Sequence, residues 1–132
     1  MEIGRQVAFW VSVAAGGATG AVCRHALGVS ITRRLDGPFP WATLVINVLG
    51  CLAIGILFAA FQRPNFQSPL LRASLVIGFL GGFTTFSAYG VELLRLAQTG
   101  DWMRMGAYTL ASNLGGFGAV WLGYQCARLA LK

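Results

Sequence analysis

Apolar and polar positions along this chain are segregated into blocks the length of whole helices. Four stretches carry no charged residue: Gln6 to Cys23, Gly37 to Gln62, Ala73 to Val91 and Met105 to Ala127. Each reaches or exceeds the roughly 18 residues that an apolar helix needs to cross a bilayer. Turn-forming and basic residues gather between them, in RRLDGPFP (Arg33 to Pro40), RPNFQSP (Arg63 to Pro69) and QTGD (Gln98 to Asp101). The pattern predicts an all-α membrane protein with four transmembrane helices, at about residues 5–32, 40–62, 69–97 and 102–130, forming one domain over 1–132. The connections leave no room for a lid or a soluble catalytic insertion. The first run follows Arg5 as a secretory signal would, but its length, with no soluble domain after it, argues for a span.

Composition agrees: 56% of the 132 residues are hydrophobic and 11% are charged, far from the balance of a soluble domain. The formal charge of +6 would point a soluble protein towards nucleic acid. Here the arginines flank apolar segments singly or in pairs, which is the arrangement of membrane-surface anchors. With four spans, Arg5, Arg63, Arg72, Arg128 and Lys132 share one side, and Arg33, Arg34, Arg95 and Arg104 the other, with Arg24 leaning towards the second. Such a balance gives no orientation signal, because topology follows an excess of Lys and Arg on the cytoplasmic side. Insertion in both orientations, and hence an antiparallel homodimer, follows; the alternative is one orientation set by something other than charge.

Candidate chemistry is sparse. Cys23, Cys51 and Cys126 show no paired spacing, and His25 is the only histidine beside four acids, Glu2, Asp36, Glu92 and Asp101, so a side-chain metal site is not expected. The pairs Gly16/Gly20, Cys51/Gly55, Gly78/Gly82, Ser112/Gly116 and Gly115/Ala119 have the small-xxx-small spacing of closely packed membrane helices. In the third run, GFLGGFTTFSAYG (Gly78 to Gly90) sets two glycines and two threonines in mid-span. A break there would expose carbonyls and amides, which lipid tolerates only when they are buried in protein or line a cavity. The alternative is a continuous helix with a glycine-rich packing face.

Around this segment several residues read either as polar lining or as packing. Asn47, the one amide of the second span, either orients a polar ligand or bonds a neighbouring helix. Tyr108 and Ser112 lie one turn apart on the fourth span. Phe83, Phe86 and Tyr89 repeat every three residues, as core or as rings whose positive edges face an anion. Arg24 either snorkels to an interface or faces a watery vestibule.

GGATGAVCRH, FPWATLVINVLGCLAIG and GFLGGFTTFSAYGVE, in that order and spacing, resemble the Fluc/CrcB fluoride channels over the whole chain. The resemblance implies a dual-topology homodimer with two antiparallel pores, a third helix broken near its middle, and passive fluoride export across a bacterial inner membrane. It also implies a structural sodium ion at the dimer interface, held by backbone carbonyls of Gly81 and Thr84 from both subunits. By position it places Phe86 and Tyr89 at two pore phenylalanines, Asn47 and Ser112 in the vestibule with Arg24 near it, and Tyr108 on the pore lining. Thr43, Ser87 and Glu92 fall on a polar track beyond the rings. The sequence departs from the family pattern at Tyr89, where a phenylalanine is usual, at Ala88, where a hydroxyl is usual, and at Gly116, where some members have serine.

The rival reading is a small proton-coupled multidrug-type exporter of dual topology, which needs a titratable carboxylate within the membrane. The first three spans have none in their middle, and Glu92 sits near an end. A noncatalytic assembly subunit accounts for the small-residue faces but not for the TTF segment. No nucleophile and base fall together, so an enzyme is not expected.

Overall fold

The computed structural model describes residues 2–131 and is helical nearly throughout. Helix α1 covers Glu2–Arg34 and α2 covers Trp41–Ala60, followed by a 3₁₀ turn at Pro64–Phe66. Helix α3 (69–83) opens as an α-turn at Pro69–Arg72, widens to a π-helix over Ala73–Leu80 and closes with Gly81–Phe83. Helix α4 is Phe86–Gln98 and α5 is Trp102–Ala130. By length and composition, three segments suit a membrane crossing: Glu2–Arg34, Trp41–Ala60 and Pro69–Gln98. Helix α5 has the length of a span, 29 residues, in a more polar sequence that includes Ser112 and Asn113.

Helix ends sit where the sequence supplies caps. Pro69 opens α3, and Ser68 before it accepts a bond from the Leu71 amide at 3.3 Å. Asp101 caps α5 through the Arg104 amide at 3.2 Å. Between α4 and α5 the chain reverses at Gly100, whose φ of +72° favours glycine. Its amide bonds the Ala97 carbonyl while the Asp101 amide reaches back to Leu96, the paired bonds of a Schellman motif.

The helices pack as two close pairs, α1 with α3 and α2 with α5. Lipid tails offer no hydrophobic drive for helices to associate, so close backbone approach and dispersion must hold such pairs. A Cβ on Gly16 would overlap the Ser74 carbonyl, and one on Gly20 the Phe79 carbonyl. From the other side, a Cβ on Gly78 would stand 2.6 Å from the Val13 carbonyl. The spaced pairs Gly16/Gly20 and Gly78/Gly82 thus face each other across one interface. In the second pair, Gly55 lies against the Val120 carbonyl and Gly123 against that of Leu52. A smaller cluster of Leu44, Tyr89, Leu96 and Tyr108 joins α2, α4 and α5.

The outer surface is apolar. Trp10, Phe58, Ile77, Leu114, Phe117 and Trp121 are all exposed, as suits a chain whose solvent is lipid.

Candidate functional site

Between α3 and α4 the backbone leaves the helix for two residues. Thr84 has φ −83° and ψ 158°, and Thr85 has φ −149° and ψ 112°, both extended. The Thr84 amide and hydroxyl both donate to the Leu80 carbonyl, at 3.0 and 2.9 Å, completing the last turn of α3. In an uninterrupted helix the Thr85 amide would bond the Gly81 carbonyl. Instead it donates to Asn47 Oδ1 at 2.8 Å, and Asn47 Nδ2 donates back to the Thr85 carbonyl at 3.1 Å. The Thr85 hydroxyl caps α4 by accepting from the Ala88 amide at 3.2 Å and lies 3.3 Å from Ser87 Oγ. One asparagine on α2 therefore satisfies both backbone groups of Thr85.

Gly81 is exposed, and beyond its chain neighbours and its own helix backbone no atom lies within 4 Å of where its Cβ would stand. With the Thr85 amide diverted to Asn47, the Gly81 carbonyl lacks the donor that an unbroken helix would give it. Among the described residues no three of His, Cys, Asp and Glu gather into a metal-binding group.

A cleft of about 500 Å³ opens beside the interruption, lined by Asn47, Gly81, Thr84, Phe86, Tyr89 and Ser112 among others. Phe86 is 83% exposed, so most of its ring projects from the protomer. Behind it the aromatic rings form a line, with Phe86 and Tyr89 centroids 5.6 Å apart and Tyr89 and Tyr108 centroids 5.0 Å apart. Tyr108 is completely buried, and its hydroxyl donates to Glu92 Oε2 at 2.6 Å. Thr43 donates to the other carboxylate oxygen at 2.7 Å. Glu92 in turn borders a second cleft, of about 600 Å³, with Arg95, Asp101 and Arg104. Polar and aromatic groups thus run from the first cleft past the interruption to the far end of the protomer.

The residues singled out from sequence divide between these features. Asn47, Ser112, Phe86, Tyr89, Gly81 and Thr84 meet at the first cleft, while Thr43, Tyr108 and Glu92 form one hydrogen-bonded group beyond it. Tyr108 and Ser112 part company: Ser112 faces the cleft and Tyr108 turns into the core. Arg24 lines neither feature. It borders a third cleft, of about 550 Å³, with Thr43, Thr85 and Ala88. Ser87 is exposed beside Thr85. Phe83 leaves the aromatic stripe, buried and stacked on Phe79 at 5.7 Å.

Sequence reasoning passed over Thr85 as a site residue, although it holds the interruption together and borders both the first and the third cleft. The available signal was its place as the hydroxyl residue directly before a new helical run. Arg95, beside Glu92 in the second cleft, was likewise read only as an anchor.

An all-helical chain with three apolar helices and an interruption clamped across helices defines a small membrane protein with a partly buried polar seam. The chain belongs to the CrcB family: the family model described as CrcB-like protein, Camphor Resistance (CrcB), matches residues 11–124. It is 44% identical over 119 residues to the fluoride-specific ion channel FluC of Stutzerimonas stutzeri (strain A1501), covering 89% of this chain and 95% of that protein. The protein of that name from Solibacter usitatus (strain Ellin6076) is 40% identical over 119 residues, covering 90% of this chain and 98% of its own length. That of Methylobacillus flagellatus is 39% identical over 121 residues, with 91% and 94% covered. These relatives bear the name of ion channels, and the family is not one of enzymes.

Proposed function

We propose that this chain forms a fluoride-selective channel for passive fluoride export across the cell inner membrane, working as an antiparallel homodimer with four membrane helices per subunit, the third broken at Thr84 and Thr85. The observation that carries the reading is the seam of weak donors and ring edges from the Asn47–Ser112 cleft, along Phe86, Tyr89 and Tyr108, to Thr43 and Glu92. Kinship with proteins named fluoride-specific channels supplies the ion.

Fluoride is small and strongly hydrated, so each lost water must be replaced by another donor. A buried lysine or arginine would hold the ion too tightly for conduction, whereas weak donors in series let it enter and leave. Asn47 uses one N–H on the Thr85 carbonyl and has a second for an ion in the cleft. Ser112 offers a hydroxyl there. Past them the positive ring edges of Phe86 and Tyr89 stabilise the anion in a dry constriction. Ser87 then receives it, while Thr43, whose hydroxyl donates to Glu92, joins Tyr108 and Glu92 in the polar track beyond, and Arg24 adds positive potential near a cleft mouth. Chloride, being larger, is excluded by fit.

The dimer is supported by the balanced arginines and by the protomer's open clefts, exposed Phe86 ring and unpartnered Gly81 face. Carbonyls of Gly81 and Thr84 from two copies would hold a structural sodium ion, which supplies fixed positive charge at the interface and ties the copies together. The exporter reading requires an exchangeable carboxylate, and the one in this seam, Glu92, accepts hydroxyl bonds on both oxygens.

The test is efflux from liposomes loaded with potassium fluoride or potassium chloride, read with ion electrodes after adding a potassium ionophore. Rapid fluoride release with no pH gradient and negligible chloride release is expected. Release of both anions at similar rates, or release only under a proton gradient, would overturn the proposal.

A further inference from the structure

Where α2 ends and α5 nears its C-terminus, a cavity of about 270 Å³ is lined by Ala59, Gln62, Arg63, Tyr124 and Arg128. Two arginines line this small space. Among the described residues the one ion pair is Arg104–Asp101, at the other end of α5, and no described Asp or Glu pairs with Arg63 or Arg128. The cavity lies at the end of the apolar α2 segment, at the depth where a membrane changes from acyl chain to headgroup. On its membrane side, Tyr124 packs against Phe58 with centroids 6.0 Å apart, and both Phe58 and Trp121 are exposed.

We propose that this cavity binds the phosphate of an anionic phospholipid, with the acyl chains lying along Phe58 and Trp121. Two arginines present fork-shaped donors that match phosphate oxygens, and a basic pocket between membrane helices at headgroup level is suited to an anionic lipid. A zwitterionic headgroup brings an ammonium that the second guanidinium repels. Free phosphate fits the same donors but gains nothing from the exposed rings below them, which makes the lipid the favoured source.

Native mass spectrometry of the purified protein in detergent, with phosphatidylglycerol, phosphatidylcholine or inorganic phosphate added, tests this. Wild type should retain phosphatidylglycerol over phosphatidylcholine, and Arg63→Gln/Arg128→Gln should lower that retention on the order of tenfold. Arg33→Gln/Arg34→Gln, which removes the same charge at the opposite end, should leave it unchanged. Equal retention in the Arg63/Arg128 double variant, or equal loss in both double variants, would overturn the site. Complete displacement of phosphatidylglycerol by millimolar inorganic phosphate would overturn the lipid as its occupant. A photoactivatable phosphatidylglycerol analogue on wild type gives an independent reading: crosslinks should fall on the peptides holding Phe58 and Trp121, and crosslinks confined to other peptides would refute the proposal.

Discussion

Replacing Asn47 by alanine attacks the groups that let the third apolar segment leave its helix. The substitution removes two hydrogen bonds, from the Thr85 amide at 2.8 Å and to the Thr85 carbonyl at 3.1 Å. Each such bond is worth about 1 kcal/mol net, and leaving a partly buried amide or carbonyl unpaired adds about 1–3 kcal/mol. Side-chain bonds between membrane helices average nearer 0.6 kcal/mol, because the unfolded chain in lipid finds other partners. A loss of about 2–4 kcal/mol is therefore expected for Asn47→Ala. Flux alone does not isolate this effect, since Asn47 also lines the proposed ion path. Stability does. Denaturation of the reconstituted protein in a graded detergent series should show the loss, and Asn47→Asp, which keeps the acceptor for the Thr85 amide, should recover roughly half of it. Wild-type stability in Asn47→Ala would refute the account of how the interruption is held.

Other substitutions separate packing from conduction. Phe86→Ile should lower fluoride flux at least about tenfold while leaving the protein folded, because the ring is exposed in the protomer and its quadrupole is what is removed; Tyr89→Phe should keep flux within about twofold in the same liposome assay. Gly81→Leu should leave helix content by circular dichroism unchanged, since the place its Cβ would take is open in the protomer, yet shift the protein from dimer to monomer on size-exclusion chromatography. Gly55→Leu should instead destabilise the protomer by about 2 kcal/mol or more in the detergent series, because the Val120 carbonyl occupies the space its Cβ needs. Three lysines added at one terminus should trap a single orientation and abolish flux, and full activity from that protein alone would remove the antiparallel pair.

Much of the architecture was legible because lipid enforces it. Charge-free runs mark the apolar helices, and clusters such as RPNFQSP, with Ser68 and Pro69, mark where one begins. The small-xxx-small pairs announced close packing, but spacing alone does not name a partner: that Gly16 meets the Ser74 carbonyl across α1 and α3 is a fact of tertiary structure. Glycines and threonines flagged an unstable stretch of helix after Gly78. What holds the chain there lies 38 positions away, at Asn47, and no local pattern points to it. Helical spacing also misled in detail. It put Phe83 with Phe86 and Ser112 with Tyr108, whereas Phe83 stacks on Phe79 one turn back in α3, the two extended residues turn Phe86 away from it, and Glu92 holds the Tyr108 hydroxyl in the core. The π-helical ladder over Ala73–Leu80 left no trace in the periodicity of the sequence.

Passive, fluoride-selective conduction is tested most directly by the reversal potential of the reconstituted protein in a planar bilayer, with a tenfold fluoride gradient and equal chloride and pH on both sides. The account predicts a current reversing near the fluoride equilibrium potential, about 59 mV from zero. A reversal at zero, one that follows an imposed chloride or proton gradient, or the absence of any current would contradict it.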